Sequence, residues 1–441
     1  MKPGEDCTGR IEKLVPRGKG IFRLDGKAVF IPFVCPGEEV EGVIREVRKD
    51  YSLADKKRIL KISPHRADPF CRYFETCGGC QWQMIEYREQ LRQKSLLLGE
   101  ALERTGKIRL DVPPAVPSRS SQYRSKARFH AGIFDGSIRI GYLKGESKEF
   151  VPVESCSVLV PALERLLSDL LSSLNSQPEF LTGIAEIIFL ASADEKETVL
   201  EFRGEALESR QEIFRALLGL SGTVRGIVLS EYGKASPRVI GKKYIENRYN
   251  CPNRPDRVFR LRSSIDAFLQ CNWEMNIHLI SVLLEWAGLT GKERIIELYC
   301  GNGNFTLPLA LNSGNVTCVE EHASACEDLL ANLRMNGISN VQARKGSAQS
   351  VLGRWDRNRH PVDLVVADPP REGLDRQTLR SLIRIAPDRI LYLSCDPVTL
   401  ARDLKSLAGL YSIRRILPFD LFPQTAHIES LTELSREGFV R

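Results

Sequence analysis

Hydrophobic and polar positions divide the chain into stretches of different period. Residues 1 to about 62 carry short alternating runs, roughly Gly9–Val15, Gly20–Leu24, Lys27–Ile31 and Glu39–Val47, which predict strands. Asp25-Gly26 between two of them is a hairpin signal, and Pro36-Gly37 marks another turn. Closely spaced strands with this punctuation predict a small β-barrel. Tyr87–Leu102 is amphipathic at helical period, and Pro113, Pro114 and Pro117 then break the chain. Helical patterns at Leu159–Leu174 and Glu208–Leu218 alternate with apolar strands at Ile184–Leu190, Thr198–Phe202 and Gly226–Leu229. From residue 261 onward, strand and helix alternate regularly, as in a parallel α/β sheet.

Composition narrows the class. Apolar residues make 42% and charged residues 27% of 441, which predicts soluble globular domains, two to four by length. No apolar stretch reaches the ~20 residues of a membrane helix. The N-terminus lacks a signal-peptide core, so a cytoplasmic protein is expected. A net charge of +7 suits a nucleic-acid partner without requiring one. Twelve cysteines in such a chain point to metal binding or catalysis for some of them.

Three cysteines fall within ten residues, Cys71-x5-Cys77-x2-Cys80, with Gly78-Gly79 in the turn. Soft thiolates brought together by a permissive backbone form a metal site. Cys156, in a turn-like stretch, is the best fourth ligand. Zinc and a [4Fe-4S] cluster both accept four cysteines, and spacing does not decide between them. Downstream, Arg119, Arg124, Lys126 and Arg128 stand beside Tyr123 and Phe129, a combination suited to phosphate contact and base stacking.

The C-terminal strands end in informative residues. Arg294–Leu298 runs into Tyr299-Cys-Gly-Asn-Gly-Asn304, a turn whose glycines admit a ligand at a helix N-terminus. The next strand ends in Glu320, placed to accept both ribose hydroxyls of a nucleoside. The third ends near Ser347, the fourth in Asp368-Pro-Pro370, and the fifth in Ser394-Cys395-Asp396-Pro397. This order matches an S-adenosylmethionine-dependent methyltransferase. Cys395 at a strand end is a candidate nucleophile. Glu429, two residues past His427 on the same strand face, is a candidate general base.

The chain resembles the RNA uracil-C5 methyltransferase family over nearly its whole length. Cys71-x5-Cys77-Gly-Gly-Cys80 resembles that family's [4Fe-4S] motif, and the resemblance implies an iron–sulfur cluster with Cys156 as fourth ligand. It implies that Gln270, Tyr299, Asn304, Glu320, Ser347 and Asp368 bind S-adenosylmethionine, that Cys395 is the nucleophile, and that Glu429 is the base. Phe422-Pro-x-Thr-x-His-x-Glu429 is similar to the family's terminal motif. Ser264-Ile-Asp-Ala-Phe-Leu-Gln270 and Ser125 depart from its usual pattern near substrate contacts. Gly18-Lys-Gly-Ile21 through Pro36-Gly-Glu38 resembles a TRAM domain, an RNA-binding module of the OB group. The implied architecture is multidomain α/β. It comprises a TRAM-like barrel (1–62), a central α+β RNA-binding domain with the cluster (63–90 and 120–260), and a Rossmann-like methyltransferase domain (91–119 and 261–441). The implied partner of this expected monomer is 23S rRNA, with tRNA as the alternative.

Overall fold

The computed structural model describes residues 1–176, 182–358 and 361–438. Its first sheet takes six strands: Asp6–Arg10, Lys13–Leu14, Gly20–Leu24, Lys27–Ile31, Glu39–Val47 and Tyr51–Lys61. Their spatial order is first, fifth, sixth, fourth, third, second. The sheet curls over a core of Phe22, Val29, Ile31, Val34, Val40 and Ile44. Gly9 of the first strand lies so close to the third that a Cβ there would stand 2.0 Å from the Phe22 ring. The sixth strand is absent from the periodicity reading. Its run Asp55-Lys-Lys-Arg58 interrupts the alternation, and bulges against Glu39–Val47 shift the register repeatedly.

The second sheet orders seven strands as Arg238–Gly241, Val224–Glu231, Thr198–Gly204, Ile184–Ala191, Lys126–Phe134, Ser137–Leu143 and Phe150–Pro152. Helix Pro161–Asn175 begins with proline at its first turn, where the missing N–H costs nothing. It buries Leu163, Leu166, Leu167, Leu170 and Leu174 against this sheet. The helix expected over Glu208–Leu218 is instead a 3-10 turn, Glu208–Arg210, and a short helix, Gln211–Arg215. Gly219, at φ 82°, reverses the chain so that its N–H bonds the Val224 carbonyl.

Tyr244–Cys251 and Arg254–Ser264 pair as an antiparallel ribbon. Its Tyr249, Cys251, Phe259 and Leu261 enter the core of the C-terminal sheet. Asn332, on helix Ala323–Met335, and Asn336, just past its end, accept bonds from the ribbon's Arg262 and Arg260 backbone N–H groups.

The C-terminal sheet has seven strands: Arg294–Leu298, Asn315–Glu320, Val341–Lys345, Leu364–Ala367, Arg389–Ser394, Tyr411–Phe419 and Glu429–Arg436. In that numbering the order is 3-2-1-4-5-7-6. The first five run parallel, and the seventh is antiparallel to both neighbours. Strand order reverses between the first and fourth strands, which opens a crevice at their C-terminal ends. Helix Tyr87–Ala101 packs Leu98 and Ala101 with Leu400, Ala401 and Leu404 of helix Pro397–Leu407. Val116 bridges to Phe419. A small apolar cluster of Leu14, Trp82, Met84, Leu97 and Ile428 ties the first sheet, the cysteine segment, helix Tyr87–Ala101 and the terminal segment together.

Candidate active site

The first strand of the C-terminal sheet delivers a turn with unusual backbone. Tyr299 has φ 61°, Gly301 φ 56° and Gly303 φ 92° before helix Thr306–Leu311 begins. A Cβ on Gly303 would stand 2.8 Å from Leu329, whereas one on Gly301 would point into open space. Only glycine adopts both conformations without strain. The Gly301 N–H donates to Glu320 at 2.9 Å, and the other oxygen of that carboxylate accepts from Glu321 and His322 N–H at 2.8 and 2.7 Å. Glu320 is thus fixed at its strand end.

Gln270, Tyr299, Asn304 and Asp368 line one concave pocket over this turn, together with Trp273 and Asn276. Asn304 and Asn276 exchange two amide hydrogen bonds, at 2.9 and 2.8 Å. The last two lining residues sit on helix Trp273–Ala287, whose apolar character makes it read as core. Ser347 is not part of that lining. It follows Gly346, and its hydroxyl accepts the Ser350 N–H at 3.3 Å, capping the next helix.

The fifth strand ends at Ser394, which pairs with Ser430 of the seventh. Cys395 and Glu429 therefore emerge at the same end of two paired strands. Asp396 caps the following helix, accepting from Val398 and Thr399 N–H at 2.9 Å each. Burial, then the Glu429 and Asp368 carboxylates, push the Cys395 thiol up to about 12, and the Arg371 guanidinium opposes them. Glu429 is buried, and its Oε1 meets no hydrogen-bond partner. Burial and Asp368 hold its carboxyl well above the usual range, against the pull of Arg371. Burial raises Asp368 to about 7. Three acids thus share one neighbourhood with one nearby cation, so the resting site favours their protonated forms. Arg371 also lies 3.2 Å from His427 Nδ1. Burial and then Arg371 lower that imidazole to about 4, keeping it neutral. The Asp368-Pro-Pro370 run marked this strand end in the sequence, but nothing in it signalled the part played by the next residue, Arg371.

Cys395 opens on a cleft of about 560 Å³ that Arg17, Lys19 and Arg45 of the first sheet line from the other side. Glu146 spans it, paired with Lys19 at 2.7 Å and Arg45 at 3.2 Å.

Cys71, Cys77, Cys80 and Cys156 line a separate cavity of about 230 Å³, shared with Arg124 and Tyr142. Gly79 N–H donates to Cys77 Sγ at 3.4 Å, and Tyr142 Oη stands 3.9 Å from Cys156 Sγ. Burial pushes Cys77 up to about 11 and Cys80 up to about 12. Among the described residues no three metal-ligating side chains converge tightly enough for one ion.

The basic-aromatic run at 119–129 differs from its expectation. Phe129 is fully buried in the second sheet's core, and buried Tyr123 donates its hydroxyl to the Pro423 carbonyl at 3.0 Å. Lys126 donates to Ala267 O at 2.8 Å, and Arg128 pairs with Glu186. Neither ring has a face free for a base, because the alternation that suggested a stacking platform serves inward packing.

The family model for tRNA (Uracil-5-)-methyltransferase matches residues 86–437. An uncharacterized RNA methyltransferase of Caldanaerobacter subterraneus subsp. tengcongensis is 32% identical over 452 residues, with 99% of each chain covered. One of Halalkalibacterium halodurans is 32% identical over 438 residues, covering 96% of this chain and 95% of its own. The fold is that of the Pyrococcus abyssi tRNA (uracil-54, C5)-methyltransferase solved with S-adenosyl-L-homocysteine. The TM-score is 0.74 at 23% identity, over 97% of this chain and 99% of that one. With the family match spanning most of the chain, this protein belongs to the RNA uracil-5-methyltransferase family, whose members methylate uracil C5 from S-adenosylmethionine.

Proposed function

We propose that the protein converts uridine to 5-methyluridine in 23S rRNA, with Cys395 as nucleophile and Glu429 as base. The observation that supports this most is the emergence of both residues at one end of two paired strands, beside Asp368 and Arg371. S-adenosylmethionine supplies the methyl group. Gln270, Tyr299, Asn304, Glu320 and Asp368 would hold it, with Ser347 at the outer edge. The open space over Gly301 fits such a ligand, because any side chain there would enter the pocket.

In this reading the target base leaves its stack to enter the cleft. The Cys395 thiol loses its proton to solvent as its sulfur bonds to C6. The electron pair displaced toward C5 makes that carbon the nucleophile for the methyl group, whose bond to the donor sulfur breaks to leave S-adenosylhomocysteine. The Glu429 carboxylate then takes the C5 proton. The C5–C6 double bond re-forms, and the C6–S bond breaks with its electrons returning to sulfur. Glu429 must be ionised at that step, although burial favours its neutral form at rest. Arg371 is the nearby cation that lowers this cost.

The four cysteines would hold an iron–sulfur cluster. They line one cavity, and the resemblance to the family's cysteine motif favours a cluster over zinc. The cluster would order the central RNA-binding unit without turning over electrons. The first sheet reads as a TRAM-like barrel, and its cations face the cleft as RNA-phosphate contacts would. The proposed Rossmann-like catalytic unit starts at 261, and the ribbon before and across that point packs Tyr249, Cys251, Phe259 and Leu261 into its core.

The parent RNA is assigned from the pairing of barrel and cluster, which resembles the ribosomal enzymes. The tRNA reading is favoured instead by the Pyrococcus structure, whose own substrate is tRNA. Anaerobically purified protein, methyl-labelled S-adenosylmethionine and RNA from cells lacking the protein decide between them. Label in 5-methyluridine of 23S rRNA is expected. Label in tRNA would replace the substrate, and label in another nucleoside would remove Cys395 from its role.

A further inference from the structure

Gln424 occupies a position that the terminal Phe-Pro-x-Thr-x-His-x-Glu pattern leaves open. It is buried and has φ 68°, a conformation that side-chain-bearing residues seldom adopt. Every polar group it owns is used. Its N–H donates to Gln90 Oε1 at 3.1 Å, and its Oε1 accepts from Gln90 Nε2 at 2.9 Å. Its Nε2 donates to the Ser120 carbonyl at 3.1 Å. Its carbonyl accepts from Gln81 N–H at 3.0 Å and Trp82 N–H at 2.9 Å. Gln90 belongs to helix Tyr87–Ala101. One side chain thus fixes the terminal segment to that helix and to the stretch at 120, while its backbone holds the cysteine-bearing segment.

The turn so held is the one from which the site is built. Thr425 Oγ1 donates to the Phe422 carbonyl at 2.7 Å and accepts from His427 N–H at 3.2 Å. Two residues later the chain enters the seventh strand at Glu429. Between Gln424 and Glu429 no helix or strand intervenes, so the placement of His427 and Glu429 depends on how this turn is anchored.

We propose that Gln424 is a positioning residue, whose amide pair with Gln90 sets the turn that presents Glu429 to the C5 proton of the covalent adduct. This rests on the uracil-C5 reading above. Gln424 touches no reacting atom, so its effect falls on proton removal and not on adduct formation or methyl transfer.

The two steps separate experimentally. A 5-fluorouracil base in the target RNA has no C5 proton to lose, so after methyl transfer the Cys395–C6 bond persists and gives a denaturation-resistant complex. Q424G keeps the positive φ and the backbone N–H bond to Gln90 but loses both side-chain bonds, to Gln90 and to the Ser120 carbonyl. It is expected to form that complex at about the parental rate while turning over uridine RNA about tenfold more slowly, a fraction of what a general base supplies. It should also accumulate more covalent complex on ordinary uridine RNA than the parent protein does. Q90A, which removes the same pair from the helix side, is expected to show the same split if Q424G is poorly folded. Equal loss of both rates in the two variants overturns the assignment, as does unchanged turnover. A parent protein that forms no complex with the fluorinated RNA overturns the uracil reading, and the role of Gln424 with it. Adduct formation by the parent with a parallel loss in the variants overturns Gln424 alone.

Discussion

Glu297 lies on the first strand of the C-terminal sheet, directly beneath the glycine turn, with about 1% of its surface exposed. Neither carboxylate oxygen meets a hydrogen bond, and the Thr306 hydroxyl beside it is equally unpaired. Burial raises the carboxyl to about 8, the neighbouring Thr306 hydroxyl opposes it, and Asp368 and Glu320 add to the shift. A carboxyl raised in the folded state stabilises the fold fully below its unfolded value near 4.5, and that contribution is lost as pH rises toward 8. Linkage between 4.5 and 8 makes the loss about 3.5 kcal/mol from pH 5 to pH 8, approaching 1.36 kcal/mol per unit. Glu297→Gln removes the titration while keeping the shape. The variant's stability relative to the parent should therefore rise by about that amount across the range, from below the parent at pH 5 to above it at pH 8. A constant offset of ~1–2 kcal/mol from the unpaired amide counts against the variant at every pH. Urea midpoints of the C-terminal transition at pH 5, 6, 7 and 8 measure the gap. A gap that stays flat with pH would refute the reasoning, because the carboxyl would then be ionised or paired throughout.

Two other outcomes follow from buried charge. Lys94 and Asp420 form an ion pair with no exposed surface on either side chain, so Lys94→Met leaves a lone buried carboxylate and should cost about 3–5 kcal/mol in denaturant midpoint. Lys94→Met with Asp420→Leu should recover most of it; a single-variant loss below about 1 kcal/mol would contradict the account. Asp368, raised to about 7, gains its charge between pH 6 and 8. Calorimetric affinity for cationic S-adenosylmethionine should climb about tenfold over that range, while uncharged-sulfur S-adenosylhomocysteine changes little; parallel profiles for the two ligands would exclude Asp368 as the titrating group.

Much of the site could be read from sequence because strand ends concentrate chemistry in a parallel sheet. A residue directly after a short apolar run is placed by the sheet itself, so Glu320, Asp368 and Cys395 needed little beyond the pattern. Arg371 and Asn276 were illegible for the opposite reason. Arg371 acts by nearness to groups from two other strands, and Asn276 sits on a mostly apolar helix. Strand Tyr51–Lys61 hid behind its charges, because its partner strand, not its own alternation, keeps it in the sheet. The ribbon of 244–264 drew no strand expectation from the sequence. Its apolar residues and the bonds to Asn332 and Asn336 tie it to the C-terminal core. Tyr123 and Phe129 show the reverse error, in which a face that looks ready for bases is filled by the protein's own interior.

The seventh strand inserts between the fifth and sixth instead of adding at an edge. In the order of synthesis, Tyr411–Phe419 is therefore made before it has any neighbour in the sheet, and it waits for residues 429–436 to emerge. Cys395 waits with it, already facing Asp368 and Arg371 but lacking the one carboxylate that this strand brings. A nascent chain holds a complete glycine turn and a thiol long before it holds the group proposed to release product. On the proposed roles, competence thus arrives in a single late event, when Glu429–Arg436 pairs with Arg389–Ser394.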